Sequence, residues 1–184
     1  MLEYGFFRDC TSLEDVRLPS TLKTLEEYAF CNCTSLKKIE LPSSLNVIGI
    51  NAFYNCASLI EINIPSSVTQ IKRDAFYKCS SLPKIDIPSS VTVLESGLFF
   101  DCQSLKKVTI PSSITEIKKS VFLQCSSLTE ISIPSSVTKI GERAFAKCAS
   151  LTEIDIPSSV TEIGKDAFYY SALKQVSIPS SMNT

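Results

Sequence analysis

Cysteine is the most reactive residue type in this chain of 184 residues, which contains eight cysteines and no histidine. Seven of them recur at one fixed interval: Cys10, Cys33, Cys56, Cys79, Cys102, Cys125 and Cys148. Side chains in register on neighbouring strands about 4.8 Å apart point the same way, which is poor geometry for a disulfide bond. We therefore expect a ladder of free, buried thiols, with a disulfide-linked ladder as the alternative.

The remaining reactive side chains do not form a catalytic pattern. There is no histidine and no glycine-rich phosphate loop, and the carboxylates are spread along the chain, so we expect no enzymatic activity. Cys31 lies outside the ladder, and we expect it near the convex surface. A zinc site requires about four ligands at suitable spacing, so we expect neither a bound metal nor a cofactor.

The elements that position these side chains recur every 23 residues, as the cysteines do. The repeated phenylalanines are Phe7, Phe30, Phe53, Phe76, Phe99, Phe122, Phe145 and Phe168. The repeated prolines are Pro19, Pro42, Pro65, Pro88, Pro111, Pro134 and Pro157. A fixed period of roughly 20–50 residues predicts a solenoid of stacked coils.

One repeat shows what each coil contains. In Leu151–Ile156, β-branched residues alternate with polar ones, which predicts a short strand with one buried face. Pro157 ends this strand because it fixes φ and lacks an amide donor. The serines that follow suit a turn and hydrogen bonds along the stack, and Val160 and Ile163 suit a second extended piece. The segment Gly164–Phe168 predicts a tight helical or 3₁₀ turn that directs its phenylalanine inward.

The repeated pattern CxSLxxIxIPSSVTxIxxxAF, as in Cys125 to Phe145, resembles the leucine-rich repeats of the BspA-like family, also called the Treponema pallidum type. The match covers nearly the whole chain. It implies a right-handed leucine-rich repeat solenoid with a parallel β-sheet of LxxIxI strands on one face. It also implies a binding or adhesion role, often in proteins displayed outside anaerobic or mucosa-associated microbes.

The repeat predicts one continuous domain over residues 1–184. We expect eight 23-residue coils, each with a sheet strand, a short second strand and a short helical or 3₁₀ turn. The last repeat is one residue short, and Ser171 takes its cysteine position. Neither end shows a polar cap, although Leu2 and other apolar residues lie in the first coil. We therefore expect a fragment of a longer array, with possible self-association through the uncapped ends.

Charge and hydropathy exclude several classes of partner. Eighteen basic and nineteen acidic residues nearly balance, so no field favours nucleic acid or an anionic membrane. No apolar run is long enough to span a membrane, and no secretion signal opens the chain. If the protein is exported to the cell surface, as the resemblance implies, its signal lies outside this sequence.

The candidate binding surface is the solvent-facing side of the LxxIxI strands, where residue types vary most between repeats. Its central column is Arg17, Glu40, Asn63, Asp86, Thr109, Ser132 and Asp155. The column two residues earlier contains Lys38, Glu61, Lys84, Lys107, Glu130 and Glu153. The alternative is that these side chains are merely solvated.

Two further columns have both a functional and a structural interpretation. Cys31, Tyr54, Tyr77, Phe100 and Leu123 form either an exposed binding stripe or packing between coils, and packing is the more common role. A second column is an array of threonine hydroxyls that could order water and so bind ice: Thr69, Thr92, Thr115, Thr138 and Thr161. Hydrogen bonds of Ser and Thr in the turn and along the stack are a sufficient explanation for this column.

These observations favour a non-catalytic module that binds a protein, such as a host or extracellular matrix protein, within a surface-displayed leucine-rich repeat protein. The alternative is a structural spacer with no ligand of its own. A rod of eight coils about 5 Å apart would hold other domains apart.

Overall fold

The computed structural model describes residues 4–180 and 182. Short parallel strands of two kinds alternate along the chain. The sheet strands are β2 (Lys38–Glu40), β4 (Glu61–Asn63), β6 (Lys84–Asp86), β8 (Lys107–Thr109), β11 (Glu153–Asp155) and β13 (Gln175–Ser177). The second strands are β1 (Thr24–Leu25), β3 (Val47–Ile48), β5 (Gln70–Ile71), β7 (Val93–Leu94), β9 (Glu116–Ile117), β10 (Lys139–Ile140) and β12 (Glu162–Ile163).

Each strand pairs in parallel with its equivalent in a neighbouring coil. The sheet strands pair as β2 with β4, β6 with β8, and β11 with β13. Ser132 bridges Asp155 and so places its coil in the same row. The second strands form the ladders β1-β3-β5 and β7-β9-β10-β12. The predicted parallel solenoid, with one coil for each sequence repeat, is confirmed.

We number the coils 1 to 8 by their phenylalanines, from Phe7 to Phe168. Seven coils carry a paired segment in the sheet row, whereas coil 1 has no strand in residues 13–18. In the strands of coils 2 to 7 the central residue is buried and its neighbours are exposed, as alternation predicts. Leu2, which the sequence places in the first coil, lies outside the described residues.

The core is a set of side-chain columns that run the length of the stack. From Phe30 to Phe145 the rings are fully buried, and the whole column stacks with centroids 5.1–5.8 Å apart. The end members, Phe7 and Phe168, are only partly buried because each has a neighbouring ring on one side. One coil cannot bury these rings alone, so the stability of each coil depends on its neighbours.

The predicted tight turns are present: between the strands, the described residues form turns closed by hydrogen bonds between residues three apart, as in a 3₁₀ turn, although these turns do not continue into helices. In coil 8, Ala167 N donates to Gly164 O at 3.2 Å and Tyr169 N to Asp166 O at 3.0 Å. Asp166 has a φ of 57°, in the left-handed region, and this interrupts the right-handed helical path. Phe168 still packs against the core, as predicted.

Every coil has two left-handed positions, both in the turn that carries its phenylalanine. One column contains Gly5, Tyr28, Asn51, Asp74, Gly97, Ser120, Arg143 and Asp166. The other contains Asp9, Asn32, Asn55, Lys78, Asp101, Gln124, Lys147 and Tyr170. Asparagine, aspartate and glycine tolerate this region better than other residues. The glycine at residue 164 has a different role, since an added Cβ would lie 2.3 Å from the backbone nitrogen of Glu142.

Candidate functional site

The sheet strands position the candidate binding surface. Because the central residue of each strand packs into the core, the residues on either side face solvent. All thirteen predicted residues are exposed: Arg17, Lys38, Glu40, Glu61, Asn63, Lys84, Asp86, Lys107, Thr109, Glu130, Ser132, Glu153 and Asp155. The structure therefore brings them together on one continuous surface, which we call the sheet face.

Two shallow grooves cross the sheet face. One has a volume of about 750 Å³ and spans coils 1 to 3, where its lining includes Asp15, Arg17 and Glu40. The other has a volume of about 590 Å³ and is lined by Lys107, Glu130 and neighbouring residues of coils 5 to 7. Both grooves are lined by charged side chains and by apolar strand residues. Such a lining suits contact with the polar surface of another protein.

Some of the charges at the N-terminal end of the sheet face form ion pairs. Lys38 Nζ lies 2.5 Å from Glu61 Oε2, and Lys37 Nζ lies 3.5 Å from Glu14 Oε2. The hydrogen bond from Lys38 and its positive charge lower the pKa of Glu61. All four side chains are largely exposed, so these pairs contribute little to stability.

Charges in the middle of the sheet face are unpaired and grouped by sign. Lys84, Lys106 and Lys107 are exposed in coils 4 and 5, and none of them forms an ion pair with a described residue. Lys84 and Lys107 are direct partners in the β6-β8 register. Like charges placed opposite each other on neighbouring strands are destabilising, so stability does not explain this arrangement.

Acidic residues follow immediately in coils 6 and 7. Glu130, Glu153 and Asp155 are exposed, and no ion pair links them to any side chain that the structure describes. Because Ser132 is the partner of Asp155, the same register sets Glu130 opposite Glu153. We call the three lysines the basic triad and these three acids the acidic triad. Five of these residues belong to the columns predicted from the sequence, whereas Lys106 was not predicted.

One hydrogen bond between side chains joins coils 4 and 5 beside the basic triad. Thr109 Oγ1 donates a hydrogen bond of 2.5 Å to Asp86 Oδ1 in the preceding coil. This contact orients Asp86 along the stack, whereas the lysines beside it are exposed to solvent. The sheet face therefore combines a fixed polar pair with unpaired charges.

The cysteine ladder is structural. Cys56, Cys79, Cys102 and Cys125 are free and fully buried, as predicted. Each Sγ donates to a phenylalanine carbonyl of the preceding coil, for example Cys102 Sγ to Phe76 O at 3.1 Å. Burial raises the pKa of Cys33 and Cys148 to about 12 and holds the pKa of the thiols between them above its ordinary value. Such thiols are poor nucleophiles.

The prediction for Cys31 is wrong. Cys31 is only 4% exposed, and burial raises its pKa. In the repeat it occupies the column between Arg8 and Tyr54, both of which have longer side chains. Cys10 is the exposed cysteine, because no described coil precedes it.

The aromatic stripe is mainly packing between coils. The Tyr54 and Tyr77 rings stack with centroids 4.7 Å apart, and Tyr77 and Phe100 stack at 4.5 Å. Their faces cover one another, so mostly ring edges remain for a partner. All three side chains are half-buried.

Hydroxyl groups connect neighbouring coils, as predicted. Thr138 Oγ1 lies 3.3 Å from Thr115 O and donates to it, and this contact recurs along the threonine column. The second serine after each proline does the same more closely, for example Ser136 Oγ to Ile114 O at 2.6 Å. Turn chemistry and stacking therefore account for these columns.

Within residues 4–180 and 182, no group of three or more potential ligands is arranged to hold a metal ion. The same residues include no helix that is long and apolar enough to cross a membrane.

A stack of short parallel strands with LxxIxI cores and polar outer faces defines a leucine-rich repeat solenoid. The family model of the BspA type leucine rich repeat region matches residues 1–129 and 69–184. The chain therefore belongs to the BspA-type leucine-rich repeat family. No curated protein matches the chain significantly.

Solved structures show the same fold. A leucine-rich repeat protein from Bacteroides ovatus is 31% identical with a TM-score of 0.95, over 98% of this chain and 47% of that protein. The Treponema pallidum leucine-rich repeat protein is 32% identical with a TM-score of 0.75, over 82% of this chain and 72% of that one. A leucine-rich cell surface protein from Faecalibacterium prausnitzii is 29% identical with a TM-score of 0.63, over 92% of this chain and 62% of that protein. The chain thus spans about half the length of the Bacteroides ovatus protein.

Proposed function

We propose that this chain is a non-catalytic protein-binding module of a surface-displayed leucine-rich repeat protein, and that the sheet face is its binding surface. The main support is the juxtaposition of the basic and acidic triads. Six exposed charges that form no ion pair with a described residue lie on or beside neighbouring strands, and like charges face each other at Lys84–Lys107 and at Glu130–Glu153, which does not stabilise the coil stack.

The contrast with the rest of the coil supports this proposal. Ring, thiol and hydroxyl columns repeat almost unchanged because they hold neighbouring coils together. Outer strand residues change type and charge from coil to coil, while the backbone beneath them keeps the same register. A constant scaffold with a variable surface is how solenoid proteins encode binding specificity.

Display at the cell surface is supported by two solved relatives. One is described as a leucine rich cell surface protein, and another, 27% identical with a TM-score of 0.65, is the pneumococcal vaccine antigen PcpA. An extracellular protein with complementary charge is therefore the partner we propose, such as a host or extracellular matrix protein. Adhesion would follow from this binding.

The test compares two variants against a protein captured from an extracellular matrix preparation. In the first, Asp86, Lys107 and Glu130 are replaced by alanine together. In the control, Glu27 and Lys165, which are exposed outside the sheet face, are replaced by alanine. We expect the first variant to bind at least about tenfold more weakly, with thermal stability nearly unchanged because surface substitutions usually shift stability by less than about 0.5 kcal/mol. Equal affinity of both variants would contradict a binding site on the sheet face.

The spacer function remains a second candidate, supported by the stacked phenylalanine column, which is continuous from coil 1 to coil 8. A spacer needs rigidity but no particular charges on the sheet face. Failure to capture any partner, together with full tolerance of triad substitutions in the native protein, would favour it.

A further inference from the structure

An exposed apolar pair interrupts an otherwise polar column at the edge of the sheet face. The column lies immediately before the sheet strands and contains Glu14, Lys37, Ile60, Pro83, Lys106, Thr129, Thr152 and Lys174. Ile60 in coil 3 and Pro83 in coil 4 are its apolar members, and we call them the apolar pair. Ile60 is 47% exposed, and among the described residues of coils 2 to 7 it is the only exposed large hydrophobic side chain. Pro83 beside it is also exposed.

The apolar pair does not strengthen the coil stack. In the same column, Ile60 N donates to Lys37 O at 2.9 Å, and Lys106 N donates to the carbonyl of the preceding coil at the same distance. Pro83 has no amide hydrogen, so the equivalent hydrogen bond to Ile60 O cannot form. The strands β4 and β6, which follow the two residues, are not hydrogen-bonded neighbours. An exposed isoleucine also leaves apolar surface in water, so stability of the stack explains neither residue.

The basic triad adjoins the apolar pair. Lys84 directly follows Pro83 in the chain, and Lys106 is the next member of the same column. Lys107 is the register partner of Lys84. All three lysines are exposed and form no ion pair with a described residue. Coils 3 to 5 therefore place an apolar contact point next to unpaired positive charge.

Two carboxylates lie near this positive charge, but they do not cancel it. Glu61 forms its ion pair with Lys38 of coil 2. Asp86 is exposed and accepts a hydrogen bond from Thr109. The three lysines of the basic triad against the single carboxylate of Asp86 leave this part of the sheet face positive. A negatively charged ligand is therefore favoured here.

The acidic triad offers no equivalent site for a basic ligand. The members of the column beside it are Thr129 in coil 6 and Thr152 in coil 7, which are polar. A basic segment at the acidic triad would therefore lack an apolar contact. Binding energy at protein interfaces is concentrated in a few well-packed side chains surrounded by polar contacts, and only the basic triad has an exposed apolar neighbour to serve in this way.

We propose that the partner protein docks through an extended acidic segment whose one apolar side chain packs on Ile60 and Pro83 while its carboxylates contact the basic triad. This inference names the chemistry of the partner and rests on the proposed function, because the apolar pair borders the sheet face. Neighbouring parallel strands lie about 4.8 Å apart, and an extended chain rises about 3.3 Å per residue. A segment that runs along the stack therefore carries its carboxylates within about three residues of its apolar side chain.

The experiment titrates the chain with a synthetic peptide in which one leucine has three glutamates on each side, so that either chain direction places carboxylates over the basic triad. A second peptide has serine in place of the leucine. Ile60→Thr gives coil 3 the residue type that the same column has in coils 6 and 7, so this variant should fold. Lys84→Gln/Lys107→Gln removes two charges of the triad. Lys165→Gln, which is exposed outside the sheet face, is the control. Affinity is measured by NMR titration at low ionic strength.

We expect the leucine peptide to bind the unmodified chain and the control equally. It should bind Ile60→Thr at least about threefold more weakly because the apolar contact is lost, and the double lysine variant at least about tenfold more weakly. The serine peptide should bind the unmodified chain at least about threefold more weakly than the leucine peptide does. Absence of binding by the leucine peptide, equal affinity for Ile60→Thr, or equal affinity of the two peptides would overturn the proposal.

The protein captured from an extracellular matrix preparation separates this proposal from the proposed function. If the combined replacement of Asp86, Lys107 and Glu130 weakens its binding but Ile60→Thr does not, the sheet face binds protein and the docking at the apolar pair is wrong. If neither change alters its affinity, the proposed function fails as well. Weaker binding of both variants supports both.

Discussion

Alkaline pH should destabilise this protein unusually steeply because its core contains a column of buried thiols. Burial disfavours the thiolate and raises the pKa of Cys56, Cys79, Cys102, Cys125 and Cys148 above the ordinary value of 9.0. In the unfolded chain these thiols ionise at their ordinary pKa. A raised folded pKa means that the folded state binds more protons above pH 9.0, so stability falls as pH rises through the window between the two values.

The magnitude follows from linkage. At about pH 10, roughly one unit above the unfolded pKa, each thiol that stays protonated in the folded state lowers the free energy of unfolding by about 1.4 kcal/mol. Five such thiols together lower it by about 7 kcal/mol, which is comparable to the whole stability of many domains, about 5–15 kcal/mol. Below the ordinary thiol pKa this contribution to stability is fully present.

The assay is urea unfolding between about pH 7 and pH 10, in a reducing buffer, for the unmodified chain and the double variant Cys79→Ala/Cys102→Ala. Removing two thiols should reduce the loss of stability over this range by about 3 kcal/mol. Tyrosine and lysine titrations are common to both proteins and cancel in the comparison. An equal loss of stability in both proteins would refute the conclusion that buried thiols control the alkaline limit.

Three further predictions concern reactivity, the turns and the core. Alkylation of the folded protein should label the exposed Cys10 first, and the buried Cys31 and the six buried cysteines of the ladder only on denaturation, as measured by mass spectrometry; rapid labelling of Cys31 would contradict its burial. Lys147→Asn should raise the free energy of unfolding by about 0.5 kcal/mol because asparagine tolerates the left-handed φ of that position. The control Lys165→Asn lies outside the left-handed columns and should not raise it. Equal effects of the two substitutions on urea unfolding would argue against backbone strain at Lys147. Phe99→Ala should cost about 3–5 kcal/mol in urea unfolding because its ring is buried between two others, and the half-buried Phe7→Ala should cost less; the reverse order would contradict the stacked core.

Much of the fold could be predicted because the repeat removes the usual ambiguity of short apolar segments. Phenylalanine, cysteine and proline each return at the same fixed interval, so a single interpretation of one coil applied to all of them. The exposed residues of the sheet face followed from alternation in the strands. The same logic identified the hydroxyl contacts along the serine and threonine columns.

The remaining features depend on contacts between coils that one repeat does not reveal. The left-handed turns were missed because lysine, arginine and tyrosine occupy positions where asparagine or glycine would have signalled them. Cys31 was placed at the surface because it lies off the ladder and aligns with Tyr54, Tyr77 and Phe100, yet it is only 4% exposed. Lys84 and Lys107 are consecutive in a column predicted from the repeat, and the strand register sets them side by side.

Hydrogen exchange of this chain with and without a bound protein partner tests the central claim most directly. If the sheet face binds the partner, protection should increase in the strands Lys84–Asp86, Lys107–Thr109 and Glu153–Asp155. The turns that carry Tyr54, Tyr77 and Phe100 should be unchanged. Protection confined to those turns, with none in the sheet strands, would contradict the assignment of the sheet face as the binding surface.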